Sequence, residues 1–217
     1  MNSLKAENIE FIDNYLKNSG VQFVDVRLEM IDHVASEIEA KINDGNKSGF
    51  YNIFKNYMIL NKSNLLKTNA KYYRIVDKKI FRHFLRKALS LHGVFISVII
   101  ILSWSFLERI LDKSQMDYFL SNAPLWIIIS FSVIYFVIVW RRKNRYSALE
   151  RIGFYIMILG QIVNFSLYKR DFSILSDANN YLFMKLSVSA LVFSLIILTF
   201  SVLEFKKSYQ LKYETIN

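Results

Sequence analysis

Glu29, His33 and Glu37 stand four residues apart, with Asp32 between the first two. On a helix this spacing puts the three on one face and Asp32 beside them. An imidazole among carboxylates can serve as a metal site, as a structural histidine held by acidic neighbours, or as an acidic surface that receives a basic partner. Carboxylate metal sites in helical bundles draw ligands from several helices, and no second copy of the cluster occurs in the chain. No metal ligand is assigned. Beside a purely solvated or structural role, Glu29, Asp32, His33 and Glu37 are the candidate partner-binding residues.

Other chemistry is sparse. The remaining histidines, His83 and His92, fall at the start of an apolar stretch. Phosphate loops, HExxH, GxSxG and nucleotide fingerprints are absent. Cysteine is absent too, which excludes disulfides, thiolate metal sites and a cysteine nucleophile. The expectation is a non-enzymatic protein with no catalytic residue and no cofactor. In the apolar half, Gly153 and Gly160 lie a heptad apart, and Gln161 and Asn164 face similar directions on the same helix. These four are candidates for intramembrane packing, through close approach at the glycines and hydrogen bonds between helices worth about 1 kcal/mol each.

The elements that position these residues follow from hydropathy. Apolar residues make up 53% of the chain and aromatic residues 16%, with one proline (Pro124) and six glycines to interrupt them. This composition favours long helices. Residues 89–107, 123–140, 152–168 and 186–203 carry no Asp, Glu, Lys or Arg, and each is close to the length that crosses about 30 Å of hydrocarbon. The expected fold is all-α: a cytosolic helical domain over 1–88, then a four-helix transmembrane bundle over 89–217 with a short cytosolic tail. Met1 to Gly20 lacks a basic-then-apolar signal pattern, so the first span is expected to act as its own insertion signal. The absence of ionisable residues near the centre of any span argues against a proton-coupled or ion-coupled transporter.

Within 1–88, Leu4, Ile9, Ile12 and Leu16 form one helical stripe ended by Gly20. Val24, Leu28, Ile31, Ala35, Ile38 and Ile42 form a second before Gly45, and a short aromatic third helix carries Phe50, Phe54, Tyr57 and Met58. Ser63 is the expected N-cap of a basic juxtamembrane helix over 63–88. Two arrangements remain open there: a helix continuous with the first span, or a bend near residues 88–93. The stripe on this helix suits packing on its predecessors, and its Lys/Arg face suits anionic lipid.

The net charge of +10 is unevenly spread. Residues 1–44 are acidic, whereas basic residues cluster at 71–87, 141–151 and 206–212. The connections 108–122 and 169–185 balance their basic residues with acidic ones. This is the positive-inside pattern. It predicts an inner-membrane protein with both termini cytoplasmic, and it assigns the basic charge to the bilayer and not to nucleic acid.

The segment from Tyr15 to Glu39, with its Glu29-x-x-Asp32-His33 core and acidic tail, followed by an aromatic helix, resembles the bacterial HAAS-type helical domains that precede transmembrane helices. The resemblance implies a membrane-bound signalling partner of a PadR-type winged-helix regulator. The expected function is a membrane-anchored regulatory protein whose cytosolic domain docks such a partner. The alternative is a transporter or permease subunit with a regulatory N-terminal domain.

Overall fold

The computed structural model describes residues 4–45, 48–140, 144–168 and 177–211, without the side chains of 68–70, 163–168 and 177–178. Its helices are α1 (Ala6–Asn18), α2 (Val24–Asn43), α3 (Phe50–Ala88), α4 (Leu91–Ile110), α5 (Lys113–Val139), α6 (Ser147–Tyr168) and α7 (Asp177–Tyr209). Among the described residues there is no strand. The chain divides into two compact units, Met1–Lys78 with Lys143–Ser147, and Lys79–Arg142 with Ala148–Asn217. The division is not quite the one expected from hydropathy: it falls inside α3, and a short piece from between α5 and α6 joins the N-terminal unit.

In the first unit, α1, α2 and the start of α3 close around one apolar core. Ile12 and Leu16 of α1 meet Val26, Met30, Val34 and Ile38 of α2, and Ile53, Phe54, Tyr57 and Met58 of α3. The buried stripe of α2 is wider than the expected one and turned from it. Met30, Val34 and Ile38 lie deepest, with Val26 close behind, while Val24, Leu28 and Ile42 are half-buried. A helix packed on two neighbours buries two adjoining stripes, so no single 3.6-residue pattern captures it. Gly20 and Gly45 end α1 and α2 with positive φ of 98° and 87°, where an L side chain is strained.

A salt bridge inside this core was not foreseen. Arg27 is 8% exposed. Its Nε donates to Asp13 Oδ1, and a terminal nitrogen donates to the Val21 carbonyl at 3.1 Å. The guanidinium thus fixes α1, the α1–α2 turn and α2 in one register. Loss of either partner would leave a buried charge or carbonyl unmet. Glu39 performs a lesser task of the same kind, accepting the Leu4 N–H at 2.8 Å.

The expected short third helix and separate 63–88 helix are one element. Between Phe50 and His92 the sequence has neither glycine nor proline, and nothing stops propagation. Ser63 is therefore an exposed interior residue of α3 and caps nothing. The choice between continuity and a bend at 88–93 resolves as a break: α3 ends at Ala88, and α4 begins at Leu91 after Ser90 in extended backbone. The Ser90 hydroxyl donates to the Lys87 carbonyl at 2.7 Å. Gly93 permits the turn, because a Cβ there would sit 2.0 Å from the Ala88 carbonyl oxygen.

In the second unit, α4, α5 and the Asn179–Tyr209 part of α7 are long and apolar enough to cross a membrane. α6 has 22 residues, but the side chains of 163–168 lie outside the described set, and with them much of the third expected span. α7 packs on α5 and α4. α5 starts at Lys113, ten residues before the expected 123, because Asp112 and Gln115 form a capping box: the Gln115 N–H donates to Asp112 Oδ1 at 2.8 Å and the Asp112 N–H to Gln115 Oε1 at 3.1 Å. Trp104 is a core residue, 7% exposed, whose indole donates to Ser189 Oγ at 2.7 Å. Trp126 and Trp140 are exposed, as are Phe95, Leu102, Phe106, Val133 and Val137. An apolar exterior of this extent is compatible with a membrane protein.

The glycine contacts separate two kinds of substitution. Gly93→Ala drives a methyl into backbone and should destabilise by about 1–3 kcal/mol, read as a lowered unfolding temperature in detergent. Gly49→Ala meets open space and should leave that temperature unchanged or raised.

Candidate functional site

Four helix ends carry most of the polar geometry, and one of them lies in the first unit against the segment that precedes α6. Phe23 opens α2 in extended backbone and supplies no side-chain cap, so the first N–H groups of the helix need outside acceptors. The Val24 N–H finds the Arg145 carbonyl at 3.0 Å. In return Asp25, in the first turn of α2, accepts the Ser147 N–H at 3.0 Å through Oδ1, and the Ser147 hydroxyl through Oδ2. Ser147 is the first residue of α6. Each N-terminus therefore receives its acceptor from the residue next to the other. Two positive helix ends share one carboxylate, a favourable placement for a negative charge. The Arg145 guanidinium lies over the Phe23 ring at 5.4 Å, Phe23 meets Tyr73 of α3 edge-on, and Tyr146 and Ser147 are fully buried.

The residues singled out from sequence lie further along α2. Glu29, Asp32, His33 and Glu37 are all exposed. Glu29 and Glu37 lean toward α3: burial, then the charge of Glu29, raises the Tyr72 hydroxyl above its ordinary pKa, and burial with Glu37 does the same at Tyr57. Among the described residues no group of three or more His, Asp or Glu side chains is arranged to hold a metal ion. The polar groups that sequence reasoning passed over are Arg27 and Ser147, both buried, with half-buried Asp25 and exposed Arg145. Asp25 and Arg27 sit in the same motif, and the signal for Ser147 was its place just before an apolar helix, as an N-cap serine would be.

The packing residues of the second unit divide. A Cβ on Gly153 would lie 2.5 Å from the Tyr135 ring, and one on Gly160 2.9 Å from Ile128, so both glycines face α5 at close range. Gln161 is exposed. Asn164 belongs to α6, and its side chain lies outside the described set.

A second polar cluster joins α3 to α7. His83 Nε2 is 3.2 Å from Glu204 Oε2 without hydrogen-bond geometry, and Lys87 Nζ donates to Glu204 Oε1. Lys79 lies over the Phe205 and Tyr209 rings at 5.2 and 5.4 Å. Lys206 reaches back to donate to the Ile138 carbonyl at 3.0 Å, meeting one of the open acceptors at the end of α5. At the far end of α7, Lys185 and Tyr181 both donate to Glu108 of α4.

Burial lowers the His83 pKa below its ordinary 6.5, against the pull of Glu204 and with help from Lys87, Arg86 and Lys79. The folded protein therefore holds fewer protons at this site than the unfolded chain, and stability falls as pH drops below 6.5. Unfolding temperatures followed downward from about pH 7 should decline, and His83→Gln should reduce that decline. For the first cluster, Asp25→Ala should cost about 1–2 kcal/mol. Combined with Ser147→Ala it should cost less than the sum, with coupling read from a double-mutant cycle. Compared with known proteins, the chain matches no family model, no curated sequence and no solved structure.

Proposed function

We propose that this chain is a membrane-anchored regulatory protein whose N-terminal helical unit docks a cytosolic partner and is coupled to the bilayer through the segment before α6. The observation that carries the reading is the reciprocal cap between Val24–Asp25 and Arg145–Ser147. α5 and α6 are consecutive, and α5 is of membrane-spanning length. A rotation or tilt of α6 would pull on Ser147, and through Asp25 on the first turn of α2. The exposed Glu29, Asp32, His33 and Glu37 lie one to three turns further along that helix. A membrane event would thus change the presentation of an acidic docking face.

The cap also bears on topology. Residues bonded directly to one another occupy the same side of a bilayer, so the N-terminal unit and the 144–147 segment share a compartment. Along the chain the basic runs 71–87 and 141–151 adjoin these two segments, which favours the cytoplasmic side for each. With α6 counted as a span between α5 and α7, the C-terminus returns to that side, as in a bacterial inner-membrane protein. Reporter fusions should give a cytoplasmic signal at Asn144 and external signals at Gln115 and Asn179, and an external signal at Asn144 would overturn the topology.

The HAAS-type resemblance of Tyr15 to Glu39 suggests a winged-helix regulator as the partner, and an acidic helix face suits a basic protein of that kind. The wild-type chain should co-purify a PadR-type winged-helix regulator expressed with it. Glu29→Lys, Asp32→Lys and Glu37→Lys together should abolish capture while membrane insertion is retained. Unchanged capture by the triple variant would sink the docking-face assignment. Asp25→Ala should leave capture intact and remove its dependence on the state of the membrane.

A further inference from the structure

On the first unit, α1 and α3 leave between them an open groove of about 940 Å³. Phe11, Tyr15 and Phe54 supply apolar lining, and Lys55, Lys62 and Lys67 line it from α3. The rings are locked together: Phe54 meets Phe11 edge-on at 5.2 Å and Tyr15 at 5.1 Å. Lys62 lies over the Tyr15 ring at 5.1 Å. Among the described residues none of the three lysines joins an ion pair. α1 lines the groove with Phe11 and Tyr15, and outside that lining it carries two exposed carboxylates. Glu7 lies one turn before Phe11 on the same face of α1, Glu10 stands beside it, and both are exposed. An apolar groove with a cationic rim on α3 and an anionic rim on α1 is complementary to its own two-fold image.

We infer that this groove is a homodimer interface, in which α1 of each copy lies along the groove of the other and sets Glu7 and Glu10 against the partner copy's Lys55, Lys62 and Lys67. The outer lysines stand twelve positions apart on α3, about 18 Å of helix, comparable to the about 20 Å of the 13-residue α1. A two-fold arrangement uses one patch twice and closes on itself. Confinement of both copies to a bilayer raises their effective concentration and favours such a contact. A concave apolar groove fits a helix better than a flat lipid surface. The surface lies apart from the four acidic residues of α2 proposed for partner docking, so the inference does not rest on the regulatory reading.

The test is step-counting by photobleaching of the full chain, labelled on a C-terminal tag and held at low density in phosphatidylcholine vesicles. Wild type should bleach mainly in two steps. Lys55→Glu, Lys62→Glu and Lys67→Glu together should weaken association about tenfold or more, and so should Glu7→Lys with Glu10→Lys. Combining all five substitutions exchanges the two rims and should restore the two-step population. Ser63→Trp, at an exposed position lining the groove, should shift the protein to single steps without altering charge. Single-step bleaching of wild type would overturn the inference, as would two-step bleaching indifferent to these variants. Dimerisation that follows phosphatidylglycerol content, and not Glu7 and Glu10, would assign the lysines to lipid and overturn it equally.

Discussion

A helix satisfies its own backbone everywhere except at its ends, and in this chain the ends dictate where polar chemistry goes. Seven helices account for nearly all described residues, and the apolar ones have few polar side chains to offer one another. The unmet N–H and C=O groups of the termini must be covered because burying them bare is costly. The Asp112–Gln115 box covers the start of α5, and Lys206 covers a carbonyl near its end. The starts of α2 and α6 cover each other through Asp25 and Arg145. The last arrangement ties a segment between two apolar helices into the polar N-terminal unit, and on it the proposed coupling depends.

The same economy explains the placement of the charges. Basic residues beside the apolar helices are not simply spread over a surface. Lys87 engages Glu204, Lys185 engages Glu108, and Lys79 sits over Phe205 and Tyr209. Arg145 stacks on Phe23. By contrast the lysines of the α1–α3 groove and the acidic residues of α2 form no ion pair among the described residues. Charge left unpaired on an ordered surface keeps its capacity for a partner, and these two faces are where the proposals of docking and of dimerisation are made.

Much of the fold was legible in the residues. Gly20 and Gly45 marked the ends of α1 and α2, and the uncharged runs marked where α4, α5 and α7 lie. The misreadings have identifiable causes. Ser63 resembled an N-cap, but a cap acts only where the preceding helix has stopped, and no glycine or proline stopped α3. Asp112 and Gln115 do form a capping box, three residues apart as the motif requires, yet they precede the apolar run by so far that hydropathy alone began the helix at 123. Trp104 is of a type common at membrane interfaces, whereas its indole is held in the core by Ser189. Residue type announces a preference, and the neighbour decides whether it is used.

The sequence by itself determined what is local: helical period, apolar length, charge distribution, and the exposed acidic stripe of Glu29, Asp32, His33 and Glu37, each a property of residues within a few turns of one another. Only the tertiary structure decided what is distant. Asp25 meets Ser147 across more than a hundred residues, Arg27 meets Asp13 across a turn, and the lysines of α3 share a groove with Phe11 of α1. Periodicity carries no information about such pairs, because a side chain's partner is set by which helices pack together, and packing is fixed only when the whole core closes.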